Sequence, residues 1–251
     1  MTNYQVGLLT TFLLGIFILI GAFIALMVEK KDKIIEFSIG LAFGVIVGLI
    51  ITDLIPEIFE NFGLRNLYLF FIFGVFGFCI LTVFDHFIPD HHEHKMTKKE
   101  ANDNLIHIGM ITTLALVLHN IIEGMAVYST AISDLSLATL LAIGVGFHNI
   151  PLGMVIASSF YHSSKSKKKT IISIGFVSLS TFVGGIVMYL FHLTEISTVL
   201  LGILLSITLG MLVFIVVDEL FPRIRSTKNK KITRMGIIVG VTLLIISFLI
   251  G

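Results

Sequence analysis

Charged residues are scarce in this sequence. Asp, Glu, Lys and Arg make up 13% of its 251 residues, whereas hydrophobic residues make up 56%, and the mean hydropathy is +1.02. A water-soluble domain of this size could not cover so much apolar surface with so few charges. The composition therefore excludes a soluble globular protein and predicts an integral membrane protein.

Cysteine and proline are also rare. The single Cys79 excludes disulfides and a thiolate cluster, and we expect it to be a buried packing residue. Pro56, Pro89 and Pro222 stand at predicted helix ends, where a missing N–H is harmless. Pro151 alone lies inside an apolar run, where it frees a backbone carbonyl and predicts a helix broken at mid-depth.

Long apolar runs recur along the whole chain. Each is long enough to cross a bilayer, and it must be helical because a spanning segment cannot leave backbone polar groups facing lipid. We predict eight spans, at roughly 6–28, 35–58, 66–88, 105–128, 137–161, 170–192, 198–221 and 234–250. The sequence therefore predicts an all-α integral membrane protein with a single transmembrane domain over residues 1–251.

Basic residues fall in alternate connections between these spans. If both termini lie outside, every one of the 17 Lys and Arg residues except Arg65 lies on the inner side. By the positive-inside rule, this distribution supports eight spans independently of hydropathy and predicts that both termini are extracytoplasmic. The expected location is a cell membrane, either a plasma membrane or an inner membrane. The inner connection at 89–104 is rich in histidine.

Only one of the 16 acidic residues, Glu123 in span four, lies well inside a predicted span, and no Lys or Arg lies well inside any span to neutralise it. A charge at the bilayer centre costs about 2.5–3.5 kcal/mol on insertion scales, so Glu123 needs a partner there. His119 precedes it by four residues and shares its helix face. Counting about 1.5 Å per residue from the helix ends places His148 of span five at nearly the same depth.

Two imidazoles and a carboxylate at mid-membrane predict a metal site, to which the neighbouring Asn120 and Asn149 can contribute. Nitrogen and oxygen ligands suit Zn²⁺, Fe²⁺, Mn²⁺, Co²⁺ or Ni²⁺, whereas Ca²⁺ and Mg²⁺ prefer more oxygen. Three protein ligands leave a coordination position open, as a passing ion requires. The alternative is a structural, hydrogen-bonded triad without metal.

Two sequence patterns repeat. His119-Asn120-Ile121-Ile122-Glu123-Gly124-Met125 is echoed by His148-Asn149-Ile150-Pro151-Leu152-Gly153-Met154. Asp53–Glu57 closes span two outside, and Asp218–Pro222 closes span seven inside. Similar ends on opposite faces are what an inverted repeat of spans 1–3 against spans 6–8 would produce.

Glycines recur every four residues in spans two and eight, at Gly40, Gly44, Gly48, Gly236 and Gly240. Small residues at this spacing allow helix backbones to approach closely within a membrane. The pattern therefore predicts close helix packing, with no direct part in transport.

These motifs resemble the ZIP (Zrt/Irt-like) family of metal transporters. The resemblance rests on His-Asn-x-x-Glu-Gly, His-Asn-x-Pro-x-Gly, Asp53–Glu57, Asp85-His86-Phe87-Ile88-Pro89 before a His-rich loop, and Asp218–Leu220. It covers the whole chain and implies a 3+2+3 arrangement of eight helices in which helices four and five line the path. It also implies inward movement of zinc or a related metal, commonly by a homodimer.

The chain departs from the family pattern in two helices. Leu152 stands where the family usually carries a Glu that bridges two metals, and Thr181–Gly185 has no carboxylate where relatives often have one. We therefore expect one metal site, made of His119, Glu123, His148 and water or Asn, instead of a binuclear centre. Such a site should bind metal more weakly and be more sensitive to protonation of its histidines.

The predicted function is transport of a divalent transition metal into the cytoplasm. Zn²⁺ is the first candidate substrate, followed by Fe²⁺, Mn²⁺, Cd²⁺ and Co²⁺. The other predicted partners are the lipid bilayer and a second copy of the chain, with no organic cofactor, nucleic-acid partner or enzyme activity. Residues expected along the path or in the inner loop are Asp53, Glu57, Asp85, His86, His91, His92, His94, Asp218 and Glu219.

Two alternative functions remain open, and so does the role of the inner loop. A metal sensor or a transport-inactive relative is the main one, because Leu152 removes a carboxylate. An intramembrane metal hydrolase is less favoured, because it needs a general base that the spans lack once Glu123 is a ligand. The histidines of the inner loop can collect metal, or they can belong to a solvated loop with no role.

Overall fold

The computed structural model describes residues 3–27, 31–87, 98–164 and 166–250. Helices account for nearly all of these ranges, and the described residues contain no β-strand. In chain order, the α-helices are α1 (Asn3–Met27), α2 (Lys31–Leu49), α3 (Ile55–Phe62), α4 (Leu67–Phe87), α5 (Lys98–Ser133), α6 (Leu135–Ser164), α7 (Lys167–Leu190), α8 (Thr198–Phe214), α9 (Phe221–Ser226) and α10 (Lys230–Ile250). This is an all-α membrane protein, as predicted.

Seven helical segments of the described chain are long and apolar enough to cross a membrane. They correspond to α1, α2 continued through α3, α4, α5, α6, α7, and α8 continued through α9. Helix α10 forms where the sequence predicts the eighth span, but some of its side chains lie outside the described set. Eight crossings therefore stay a prediction.

The predicted inner loop at 89–104 is shorter than expected. Helix α5 already begins at Lys98, so residues 98–104 belong to that helix. The reason is physical: a helix satisfies its own backbone, so it can continue into water beyond its apolar segment. The histidines at 91, 92 and 94 lie outside the described residues.

Two spans contain a short π-helical segment. Ile50–Leu54 joins α2 to α3, and Ile215–Leu220 joins α8 to α9. Pro56 and Pro222 lie in the first turns of α3 and α9, so the prediction that they end their helices is wrong. Proline is tolerated in a first turn, where its missing N–H is not needed, and π-helical segments often occur at functional sites.

Two further expectations are wrong. Helix α6 runs through Pro151 without a break, because the flanking residues keep helical hydrogen bonding on both sides of the lost bond. Cys79 is exposed on α4 instead of buried. In a membrane protein an apolar residue can face lipid as well as the core, so hydrophobicity alone does not predict burial.

The predicted glycine packing is confirmed between α2 and α10. A Cβ added at Gly40 or Gly44 would strike the backbone of α10, and one added at Gly236 or Gly240 would strike the backbone of α2. The two backbones therefore touch directly. Helices α4 and α8 pack in the same way, because a Cβ added at Gly77 of α4 would strike the backbone of α8.

The main helix contacts recur in both halves of the chain. Helix α2 packs on α10 as α8 packs on α4, and α1 packs on α6 as α7 packs on α5. Helices α5 and α6 also pack on each other. Each half therefore presents one helix to the central α5–α6 pair in an equivalent way.

Candidate metal centre

Three polar side chains meet between α5 and α6. Nε2 of His119 lies 2.9 Å from Oε1 of Glu123, and Nε2 of His148 lies 2.8 Å from the same oxygen. The two imidazole ring centroids are 6.3 Å apart. One ligand atom from each residue lies within 4.8 Å of the others, so the cluster has the dimensions of a metal site.

A short turn between α5 and α6 sets the depth of the cluster. Asp134 is the only residue between the two helices, and its Oδ1 accepts hydrogen bonds from the backbone N–H groups of Ser136 (2.8 Å) and Leu137 (3.1 Å). This cap satisfies two of the free N–H groups at the start of α6. With so short a connection, the antiparallel helices bring His148 level with His119, as the sequence predicts, and within reach of Glu123.

The glycines that follow the two motifs allow neighbouring helices to approach. A Cβ at Gly124 would strike the backbone carbonyl of Thr181 on α7, and a Cβ at Gly153 would strike that of Ile18 on α1. Each motif glycine therefore brings an outer helix against the site. Gly184 of α7 makes the reciprocal contact with Ile121 of α5.

The hydrogen bonding around Glu123 fits metal ligation better than a structural triad. Both imidazoles approach Oε1, while the buried Oε2 has no hydrogen-bond partner among the described residues. A structural triad would be expected to use one oxygen for each imidazole, because buried carboxylate oxygens without partners are costly. Side chains that converge on a shared space and leave an oxygen free are what a cation requires.

Other buried polar atoms near these residues in the chain are also unsatisfied. Oδ1 of Asn120, both side-chain polar atoms of Asn149 and Oγ1 of Thr181 have no hydrogen-bond partner in the described part of the chain. Asn120 and Asn149 follow the two cluster histidines and are 1% and 0% exposed. Their oxygens are candidates for completing a coordination shell, directly or through water.

The surroundings of the cluster are polar on one side and apolar on the other. Glu123 and Thr181 belong to α5 and α7, and the residues at equivalent positions of α6 and α1 are Leu152 and Ile18. Leu152 is 2% exposed within the hydrophobic core. Sequence reasoning singled out the lack of a carboxylate near Thr181 but missed its unpaired hydroxyl, because the pairing of a hydroxyl cannot be read from sequence.

The predicted path residues do not join the three-residue cluster. Asp53 is exposed and Glu57 half-buried, and both interact electrostatically with His119 and Glu123. They therefore lie near the cluster without being part of it.

A second acidic group lies elsewhere. Asp218 is exposed and interacts electrostatically with Asp85. Its neighbour Glu219 is buried, whereas His86 is exposed. Asp85 and His86 lie at the end of α4, and Asp218 and Glu219 lie in the π-helical segment that follows α8.

An all-helical multi-pass chain with imidazole and carboxylate ligands buried between two helices is a metal-handling membrane protein. The chain belongs to the ZIP family: the family model described as ZIP Zinc transporter matches residues 91–247, more than half of the chain.

Curated relatives cover nearly the whole chain. A protein named Zinc transporter ZupT from Escherichia coli O7:K1 (strain IAI39) is 28% identical over 246 residues, which cover 96% of this chain and 95% of the relative. The ZupT protein of E. coli O127:H6 (strain E2348/69) is 29% identical over the same length and coverage. That of E. coli strain K12 / DH10B is 28% identical, again over 96% of this chain.

Proposed function

We propose that this protein transports a divalent transition metal, with Zn²⁺ as the main substrate, across the membrane into the cytoplasm. The observation that carries the proposal is the buried His119–Glu123–His148 cluster, in which two imidazole nitrogens approach one carboxylate oxygen. The zinc named in the family description and in the relatives supports the choice of metal.

The cluster is suited to a passing ion. Two neutral imidazoles and one carboxylate give a 2+ cation three good ligands and only one negative charge, so water or an Asn oxygen completes the shell. The ion enters past Asp53 and Glu57, exchanges water for these ligands, and leaves toward Asp218 and Glu219. The electrostatic proximity of Asp53 and Glu57 to the cluster supports this order.

The transport cycle uses an eight-helix, 3+2+3 arrangement with both termini outside the cytoplasm. The recurrence of helix contacts in the two halves supports an inverted repeat, with α1–α4 related to α7–α10 about the central pair α5 and α6. The matching π-helical segments support the same relation. A second copy of the chain completes a homodimer in the plasma or inner membrane.

One metal site is expected instead of two. Glu123 is the carboxylate of the cluster, and its repeat equivalent is the buried Leu152. The amides of Asn120 and Asn149 carry no charge, so they bind a second transition metal poorly without an anion. They act as auxiliary ligands of the same ion.

The experiment that tests transport uses proteoliposomes loaded with a metal-sensing dye. Zn²⁺, Fe²⁺, Mn²⁺ and Cd²⁺ are offered separately to wild type, to Glu123→Ala and to Glu195→Ala. Glu195 is an exposed acid in the loop after α7 and serves as the matched control. We expect saturable flux that falls at least tenfold in Glu123→Ala and is unchanged in Glu195→Ala.

A metal sensor is the second candidate function, and the apolar Leu152 is the observation that favours it. A sensor binds metal at the cluster without moving it. Saturable Zn²⁺ binding that needs Glu123, combined with no flux of any metal in wild type, would replace the transporter proposal with this one.

A further inference from the structure

Most buried serine and threonine hydroxyls in the described residues bond to a carbonyl one turn earlier in their own helix. Examples are Ser158 to Val155 O (3.0 Å), and two hydroxyls of α8, Ser206 and Thr208. Such bonds satisfy a hydroxyl without any neighbouring helix. Thr112 of α5 does not follow this pattern: it is 1% exposed, and its Oγ1 has no hydrogen-bond partner among the described residues.

Thr112 shares a helix face with the metal cluster. It precedes His119 by seven residues, which places it about 10.5 Å along the axis and about 20° around it. Between them on this face lies Leu116, which is fully buried. Thr112 is therefore the next side chain on this face, beyond one apolar turn, that offers an oxygen.

By the predicted topology, α5 begins on the inner side and span seven ends there, so Thr112 and Asp218 both lie on the inner side of the cluster. The π-helical segment Ile215–Leu220, which carries Asp218 and Glu219, packs against α5, and so does α8. Asp53 and Glu57 lie with the cluster itself, as their electrostatic interactions with Glu123 indicate. In that topology, the Thr112 hydroxyl is a polar group of α5 on the inner side of the cluster.

We propose that the hydroxyl of Thr112 is a second, transient binding position for the transported divalent cation. This proposal rests on the proposed transport function and adds a binding position outside the cluster. A hydroxyl is a neutral oxygen ligand that can replace one water of a partly hydrated ion. Because it contributes no charge, it holds the ion weakly and releases it, as conduction between neighbouring sites requires.

The test compares Thr112→Val, which keeps the shape and removes the oxygen, with Thr112→Ser, which keeps the oxygen. The control is Ser38→Ala, which removes another buried hydroxyl without a hydrogen-bond partner, on α2. We expect Thr112→Val to lower the maximal Zn²⁺ flux at least fivefold, with unchanged equilibrium Zn²⁺ affinity. Thr112→Ser should keep more than half of the flux, and Ser38→Ala should keep all of it.

Three outcomes separate the possibilities. Wild-type flux in Thr112→Val overturns the role of Thr112 and leaves the transport proposal intact. Equal losses of flux and Zn²⁺ affinity also overturn it, because Thr112 would then act through the cluster. Absence of flux in wild type overturns the transport proposal, and this inference with it.

A second variant applies even if Thr112→Val folds poorly. Cys79 is exposed and is the only cysteine, so Cys79→Ser provides a cysteine-free parent. A thiolate introduced by Thr112→Cys in this parent should hold the soft ion Cd²⁺ on the path and block it. We expect the Cd²⁺ concentration that halves Zn²⁺ flux to fall at least tenfold relative to the parent, and an unchanged value contradicts the proposal.

Discussion

At the residue scale, one carboxylate determines the charge of the metal centre. Glu123 contributes the single negative charge of the cluster, and both imidazoles approach the same oxygen of its side chain. Leu152 occupies the equivalent place on α6 and contributes none. The number of ions held and their affinity should therefore respond to charge at position 152.

Leu152→Glu is expected to add a second metal equivalent or to tighten Zn²⁺ binding at least tenfold. The new carboxylate would lie one turn from His148, as Glu123 lies one turn from His119. The matched control is Leu152→Gln, which has a similar size and no charge. Isothermal titration with Zn²⁺ measures both changes, and identical titrations for the two variants would contradict the role given to charge.

Zn²⁺ affinity is expected to weaken as pH falls. Protons and metal compete for the imidazole nitrogens of His119 and His148, and an imidazole binds metal only when it is neutral. Each histidine that must lose its proton costs about tenfold in apparent affinity per pH unit once it is mostly protonated. Titrations between pH 5 and 8 check this slope, and His148→Gln should show a shallower one.

The three cluster residues could be predicted from sequence because they are exceptional there. Glu123 is the only acidic residue deep inside a predicted span, and the histidines share its depth. The free hydroxyls of Thr112 and Thr181 could not be predicted, because hydrogen-bond pairing depends on neighbouring helices. The exposure of Cys79 could not be predicted either, because lipid and core accept the same side chains.

At the element scale, glycines determine how closely the outer helices approach the site. Gly124 follows Glu123 directly, and its missing side chain leaves room for the backbone of α7 at Thr181. Helix α7 also contains Gly175, where an added Cβ would meet nothing within 4 Å. Gly124 touches a neighbouring backbone and Gly175 does not, so the same substitution at both positions tests the effect of the contact.

Gly124→Ala is expected to destabilise the protein by about 1–3 kcal/mol, because the new methyl group would force α5 and α7 apart. Gly175→Ala should be neutral or stabilising, because alanine is the better helix former. Thermal unfolding of both variants in detergent measures the difference. Equal melting temperatures would contradict direct backbone contact at Gly124.

The bounds of the seven membrane-capable helices lie close to those predicted for the first seven spans, whereas the local helix geometry was not predicted. Proline at positions 56 and 222 suggested helix ends, whereas each lies in a helix that continues after a π-helical segment. A π-turn depends on packing against other helices, and no sequence pattern marks it. The start of α5 at Lys98 could not be predicted from hydropathy, because the first turns of this helix are polar.

At the scale of the whole molecule, the predicted topology can be tested directly. The basic residues predict an external loop around Glu195 and an internal connection around Lys228, and both residues are exposed. Single cysteines at these positions in the Cys79→Ser parent should report the two faces. An impermeant maleimide added to intact cells is expected to label Glu195→Cys, and to label Lys228→Cys only after lysis. The reverse pattern would contradict the predicted topology.

The backbone-to-backbone glycine contacts also constrain how the molecule can move. They join α6 to α1, α1 to α7 and α7 to α5, and they also join α2 to α10 and α4 to α8. A helix locked in this way cannot slip past its neighbour by even one residue, because a Cβ would strike a carbonyl. The contacts of α2 and α10 with α6, and of α8 with α5, carry no glycine of this kind. Any sliding that carries the ion from one face to the other should therefore occur along these contacts, with α1, α5, α6 and α7 moving together as one rigid unit.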